Sequence, residues 1–162
     1  MKNKVKFSHL LLIILTLSFM NISFAKEKKV SGSMCSAKEG IEQSKIKTTG
    51  YGALYAYDPE KIGQSLWVSC PLVKGVTQEE HLLYVSVLIN HPENRTTKCC
   101  VAGRGFKACT NISGTGLIET RFELPARFSS IDSSLYCGLM RGNSSSGVKG
   151  PSHLLTYQWN EF

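Results

Sequence analysis

The amino-acid sequence predicts an all-β fold, an antiparallel β-sandwich of jelly-roll type with about eight strands, stapled by disulfides. Three observations carry that expectation. Short runs of alternating apolar and polar residues recur along the chain, turn-forming residues separate them, and all six cysteines follow a leader built for export.

The leader comes first. Lys2, Lys4 and Lys6 precede an apolar stretch from Leu10 to Met20, and Ser23-Phe24-Ala25 supplies the small-x-small pattern of a signal peptidase site. Residues 1–25 are therefore expected to be a signal peptide. The apolar stretch falls short of the roughly 20 residues that span a bilayer, so no membrane span is expected after cleavage. Cys35, preceded by Gly32-Ser33-Met34, lies too far from that stretch to be a lipidated cysteine. A secreted or periplasmic location follows.

With the leader go three of 19 basic side chains, leaving 16 against 12 acidic ones and a net charge of +4. That balance is only mildly basic, and nothing interleaves cations and aromatics as a nucleic-acid surface does. Residues 26–34, with Lys26, Lys28 and Lys29, are expected to form a flexible, solvated tail. Residues 35–162 are then one sandwich domain.

Its clearest element runs from Gly116 to Leu124, where Ile118, Thr120, Phe122 and Leu124 alternate with Glu119, Arg121 and Glu123. Such alternation marks a half-buried strand with a charged outer face. The same logic predicts strands over 51–57, 65–73, 82–89, 97–101, 106–110, 135–140 and 154–159. Between them stand Asp58-Pro59, His91-Pro92-Glu93-Asn94, Gly103-Arg104-Gly105 and Gly114-Thr115-Gly116, all read as turns. A helical turn within 36–47 is weakened by Gly40.

Neighbouring side chains on a strand point to opposite faces. Cys99 and Cys100 therefore cannot both face the core, and one is expected to bridge inward across the sandwich while the other turns to a nearby hairpin. Cys137 shares a face with Leu135 and Leu139 and suits the inward role, Cys109 can return across the Gly-Arg-Gly turn, and Cys35 with Cys70 uses the remaining two. This is one preference among 15 possible pairings. Closing the Cys35–Cys70 loop of about 35 residues stabilises the domain by roughly 3 to 4 kcal/mol in the chain-entropy account.

The succession of Cys35, Tyr51-Gly52-Ala53-Leu54, Trp67-Val68-Ser69-Cys70-Pro71-Leu72, a strand with Cys99 or Cys100, and Leu135-Tyr136-Cys137-Gly138-Leu139 resembles a group of small exported bacterial proteins of unknown function. The resemblance implies a β-sandwich with two structural disulfides, the first cysteine pairing with the one before Pro-Leu. This chain departs from that group in two extra cysteines and in Met140, where the group often has proline. It implies no activity.

No residue reads as catalytic, and no metal or cofactor is expected. His81, His91 and His153 lack the spacing of a metal motif and are expected at loops or strand edges. Cysteines committed to disulfides supply neither a thiolate nor a metal set. Gly142-Asn143-Ser144-Ser145-Ser146-Gly147 is not a Gly-x-Ser-x-Gly elbow, and Glu119 and Glu123 sit among charges on an outer face.

Two binding features remain. The segment 100–109 reads as a short hairpin clamped at its ends, offering Arg104, Phe106 and Lys107 to a partner with little entropy left to lose. The chain is also rich in aromatics, among them Tyr51, Tyr55, Tyr57, Trp67, Tyr84, Tyr136, Tyr157 and Trp159, and exposed rings of this kind bind sugars. The expectation is a non-enzymatic binding or structural domain whose partner is a protein or glycan at the cell envelope. An inhibitor of a secreted hydrolase acting through the Arg104 hairpin is the alternative.

Overall fold

The structure, a computed structural model, describes residues 26–72, 82–103, 105–125, 133–142 and 150–161. The expected signal peptide, His81, Arg104 and the serine-rich segment 143–149 lie outside the described residues. Among those described, nine strands form one continuous antiparallel system: β1 (Lys26–Ser31), β2 (Ser36–Ala37), β3 (Ile46–Thr48), β4 (Leu54–Ala56), β5 (Ser65–Pro71), β6 (Leu82–Gly103), β7 (Phe106–Glu123), β8 (Ser134–Met140) and β9 (His153–Glu161). Two 3-10 turns, Gly32–Met34 and Gly40–Lys45, complete it, the second within the segment where a helical turn was expected.

The all-β antiparallel prediction holds, with one change in how the sandwich is built. β6 and β7 are each a fusion of two expected strands, and together they make one long hairpin that serves both layers. Residues 84–90 of β6 pair with β9 and with the far half of β7, whereas 99–102 pair with β8 and the near half. One wing thus runs β6-β9-β4-β3 with β1 also on β9, and the other runs β6-β8-β5-β2. A single core takes Val68, Cys137 and Leu139 from one wing and Val87, Ile89, Leu154, Tyr157 and Trp159 from the other. The Tyr157 hydroxyl donates to the Pro71 carbonyl at 2.9 Å, tying β9 to the end of β5. Burial pushes that phenol up to about 12.

The corner between the wings is where two turns were expected. From His91 to Arg95 β6 advances four residues while β7 moves only from Gly116 to Gly114. Extra residues on one strand bend and twist the pair, and Pro92, which cannot donate to a ladder, is tolerated at such a bulge. Gly114 and Gly116 have φ of 139° and 82°. A Cβ on Gly114 would lie 2.9 Å from the Ile118 side chain, so both conformation and space require glycine there. The turns expected at 91–94 and 114–116 are not found as turns: both segments lie within continuous strands, where they bend one hairpin without ending it.

Residues 26–34 are a second correction. Lys26–Ser31 is a strand paired along its length with β9, from Lys26 opposite Glu161 to Ser31 opposite Thr156. Val30 packs against the core, and the Lys28 ammonium sits 6.0 Å from the Trp159 ring centre. A lysine stem can cover an apolar ring while its charge stays wet.

The disulfides are Cys35–Cys70, Cys99–Cys137 and Cys100–Cys109. The Cα separations are 4.1, 4.1 and 4.0 Å; Cys99–Cys137 and Cys100–Cys109 join residues directly opposite on neighbouring strands, and Cys35 sits just before β2, which pairs with the strand of Cys70. Cys99 and Cys100 do diverge, the first to the core and the second to the outer face. The inward bridge, however, links β6 to β8 within one layer and does not cross the sandwich as expected, because Cys99 and Cys137 are register partners.

At the other end of the molecule, buried Arg141 donates to Asp58 at 2.8 Å and to Glu42 at 2.5 Å. Burial pushes the Asp58 carboxyl up, but the Arg141 guanidinium, the Glu60 N–H and Lys45 outweigh it and hold the group below its ordinary value. This network, with Asp58 N–H donating to the Gly142 carbonyl, joins the segment after β4 to the end of β8.

Candidate functional site

A concavity opens on the outer face of the β6-β9-β4 wing. It is a groove of about 700 Å³ lined by Thr49, Gly50, Tyr51, Ala53, Tyr55, Leu88, Asn90, His153, Leu155 and Thr156. Each lining element follows from local sequence. Tyr55 stands opposite His153 where β4 pairs with β9, and cross-strand neighbours on one face lie within contact range. Their rings are parallel to within 16° with centres 5.2 Å apart. On the other side of β9, Asn90 is opposite His153 and Leu88 opposite Thr156. Between those pairs the register slips, so that Leu155 is an extra residue in β9. Such bulges re-aim side chains, and this one adds Leu155 to the groove wall.

The rim is a tight turn between β3 and β4. Thr49 N–H donates to the Ala53 carbonyl at 2.8 Å, Ala53 N–H to Thr49 Oγ1 at 3.1 Å, and Gly52 N–H to the Thr49 carbonyl at 3.0 Å. Gly52 has φ of 77°, and a Cβ there would lie 2.6 Å from Ser31 Oγ. The Gly52 carbonyl accepts from Ser31 Oγ at 2.6 Å and Ser33 N–H at 2.9 Å, which pins the turn to the end of β1. Tyr51, at the tip, is 99% exposed.

The lining carries no Asp, Glu, Lys or Arg. Its polar groups are an amide, two threonine hydroxyls, two phenols and an imidazole. This chemistry suits an uncharged ligand with both an apolar face and hydroxyls.

The residues expected to make contact are not brought into this groove. Of the hairpin, Phe106 is half-buried and packs against the core while Lys107 points the other way into solvent. Arg104 lies outside the described residues, so the inhibitor reading gains no geometric support. The expectation of exposed histidines fails for His91, which is fully buried. Its Nε2 donates to the Ile112 carbonyl at 3.2 Å, so Nδ1 accepts from the Ser152 hydroxyl at 2.8 Å. Burial pushes it below the ordinary 6.5, the Ile112 bond opposes that, and Arg95 adds to it. His153 is half-buried on a strand that lies inside the sheet system, with Tyr55 against its ring. Tyr51 and Tyr55 belonged to the aromatic set read from sequence. His153 did not, because its role depends on a strand pairing no local pattern reveals.

The described residues contain no group of three or more His, Cys, Asp or Glu placed to hold a metal ion, and no helix long and apolar enough to cross a membrane.

The protein is thus a disulfide-stapled antiparallel β domain with an aromatic groove on one outer face. No protein-family model matches the chain, and no curated protein matches it. Among solved structures it is similar to an exo-β-1,3-galactanase from Phanerochaete chrysosporium with galactose, at a TM-score of 0.45 and 14% identity, over 85% of this chain and 30% of that one. It is also similar to a family two carbohydrate esterase from Cellvibrio japonicus, with a TM-score of 0.46 and 7% identity over 86% and 35%. TmCBM61 in complex with β-1,4-galactotriose gives 0.40 and 10% over 82% and 86%. The chain spans about a third of the length of the first two. The case for function rests on the side chains of the groove.

Proposed function

We propose that this protein is an exported, non-enzymatic carbohydrate-binding domain that takes a neutral saccharide in the Tyr51-Tyr55-His153 groove. The observation that carries the reading is the parallel Tyr55–His153 pair in a groove whose lining also includes the almost fully exposed Tyr51. One face of a pyranose is a patch of C–H groups that packs on an aromatic ring, and its hydroxyls need donors and acceptors at the edge. Asn90, Thr49 and Thr156 line the groove and carry such donors and acceptors. An anionic sugar would require a cation in the lining, and glycoside hydrolysis would require a pair of carboxylates; the groove has neither. Three disulfides fit an oxidising extracellular or periplasmic location. Export through the leader, and kinship with small exported bacterial sandwiches, belong to the same reading.

Affinity electrophoresis of the oxidised protein through gels holding neutral or anionic polysaccharides tests it. Retardation is expected in at least one neutral gel, and Tyr51→Ala and Tyr55→Ala should each weaken it on the order of tenfold, about 1.4 kcal/mol. Migration unchanged in every neutral gel, or retardation equal for wild type and both variants, would refute the proposal.

A further inference from the structure

We infer that the outer half of β7 is a self-complementary edge through which two copies of this protein pair into a symmetric dimer with one continuous sheet. Among the described residues, β7 has a strand neighbour on one side only, β6. Among the described residues no strand pairs with the backbone donors and acceptors along its other edge. Proteins normally keep such edges short or interrupt them. Here the Gly114-Gly116 corner breaks the edge, but 117–123 remains a regular run with an alternating inner and outer face.

An edge can accept a foreign strand or a second copy, and the charge pattern favours the copy. A dimer formed about a two-fold axis normal to the sheet pairs each residue with one at equal distance from a central residue. Centred on Glu119, that residue meets itself. Centred on Arg121, Arg121 meets itself and Glu119 meets Glu123 of the second copy. Like charges directly opposite are destabilising. Centred on Thr120, Glu119 meets Arg121 of the second copy and Arg121 meets its Glu119, while on the inner face Ile118 meets Phe122. The two Glu119–Arg121 pairs are then satisfied and Ile118 faces Phe122, while at the ends of the run Leu117 lies opposite Glu123 of the second copy. A centre on Phe122 pairs only the last three strand residues.

The affinity comes from the added backbone ladder, and the charges fix the register, because exposed ion pairs stabilise little by themselves. Arg121 has local company in the monomer, with Glu123 at 2.7 Å and the Tyr84 ring 3.6 Å beneath its guanidinium, so it is held on the outer face ready to meet a second copy. Glu119 shares that outer face with Leu88 and Thr156. A rotation about the sheet normal keeps outer faces on the same side, so the dimer presents two grooves together. That last consequence rests on the saccharide reading; the dimer does not.

Sedimentation velocity of the oxidised protein over a range of concentrations tests the interface, with charge swaps as controls. Wild type should shift from monomer to dimer as concentration rises. Glu119→Arg alone and Arg121→Glu alone should each stay monomeric. An equimolar mixture of those two single variants, and the double variant Glu119→Arg/Arg121→Glu alone, should recover the dimer. Wild type monomeric throughout, or a dimer indifferent to the single swaps, would overturn the inference. A dimer lost with Arg121→Glu and not restored by the second swap would overturn the Thr120-centred register.

Discussion

Tyr55 and His153 are register partners on β4 and β9, and their rings lie parallel with centres 5.2 Å apart. They are far apart in the chain and adjacent only because β9 has both β6 and β4 as neighbours. The groove therefore depends on features that hold the β3–β4 turn and β9 in place, and those features can be tested one at a time.

Gly52 is the most sensitive of them. Its φ of 77° is unfavourable for any side chain, and a Cβ would collide with Ser31 Oγ. Gly52→Ala is expected to lower stability by about 1 kcal/mol or more and to reduce saccharide binding, because the turn bearing Tyr51 loses its seat on Ser31 and Ser33. Gly50→Ala, with open space around its Cβ and no left-handed φ, is the matched control and should change neither. Chemical denaturation alongside the binding assay reads both.

His91 makes stability depend on pH. The folded protein holds it neutral, with a pKa depressed chiefly by burial. An unfolded chain takes up that proton near pH 6.5, and the folded one does so only at lower pH. The stabilisation is thus fully present above about 6.5 and is lost as pH falls below it toward the depressed folded value. Unfolding free energy measured between about pH 7.5 and 5 should decline on acidification, with a slope of at most about 1.4 kcal/mol per pH unit for one proton. His91→Gln should be less stable at neutral pH and should lack that slope.

The three disulfides differ in exposure. Cys109 is exposed, whereas Cys35, Cys70, Cys99 and Cys137 are buried. Mild thiol treatment of the native protein should open Cys100–Cys109 first and leave the fold intact, since the β6–β7 ladder still joins those strands. The other two bridges should resist until the domain unfolds. Stepwise alkylation with peptide mapping gives the order; labelling of Cys99 or Cys137 ahead of Cys109 would contradict it.

Arg141 uses two nitrogens to reach two carboxylates on different segments. A lysine has one compact charge and cannot reproduce that fork. Arg141→Lys is therefore expected to lower the melting temperature nearly as far as Arg141→Ala does, measured by thermal denaturation.

What was legible in the sequence was whatever repeats with period two. The alternation of Ile118, Thr120, Phe122 and Leu124 with Glu119, Arg121 and Glu123 gave the right faces of β7, and the same parity separated Cys99 from Cys100. What failed was local chemistry with two structural meanings. Pro92 and Gly114 serve a corner as well as a turn, and Lys26, Lys28 and Lys29 suit an edge strand beside Trp159 as well as a solvated tail. The groove was half visible, in Tyr51 and Tyr55. His153, the Leu155 bulge and the Arg141–Asp58 pair were not, because each depends on contacts between segments distant in sequence.

The central claim is that a neutral saccharide rests on the Tyr51-Tyr55-His153 surface. Its most direct test follows the aromatic side-chain resonances by NMR while the oxidised protein is titrated with oligosaccharide fragments of whichever neutral polysaccharide retards it. The account predicts saturable shifts at Tyr51, Tyr55 and His153, with buried Tyr157 and Trp159 unmoved. Saturable binding whose shifts fall on Phe106 and the β6–β7 hairpin, with Tyr51 and Tyr55 silent, would contradict it.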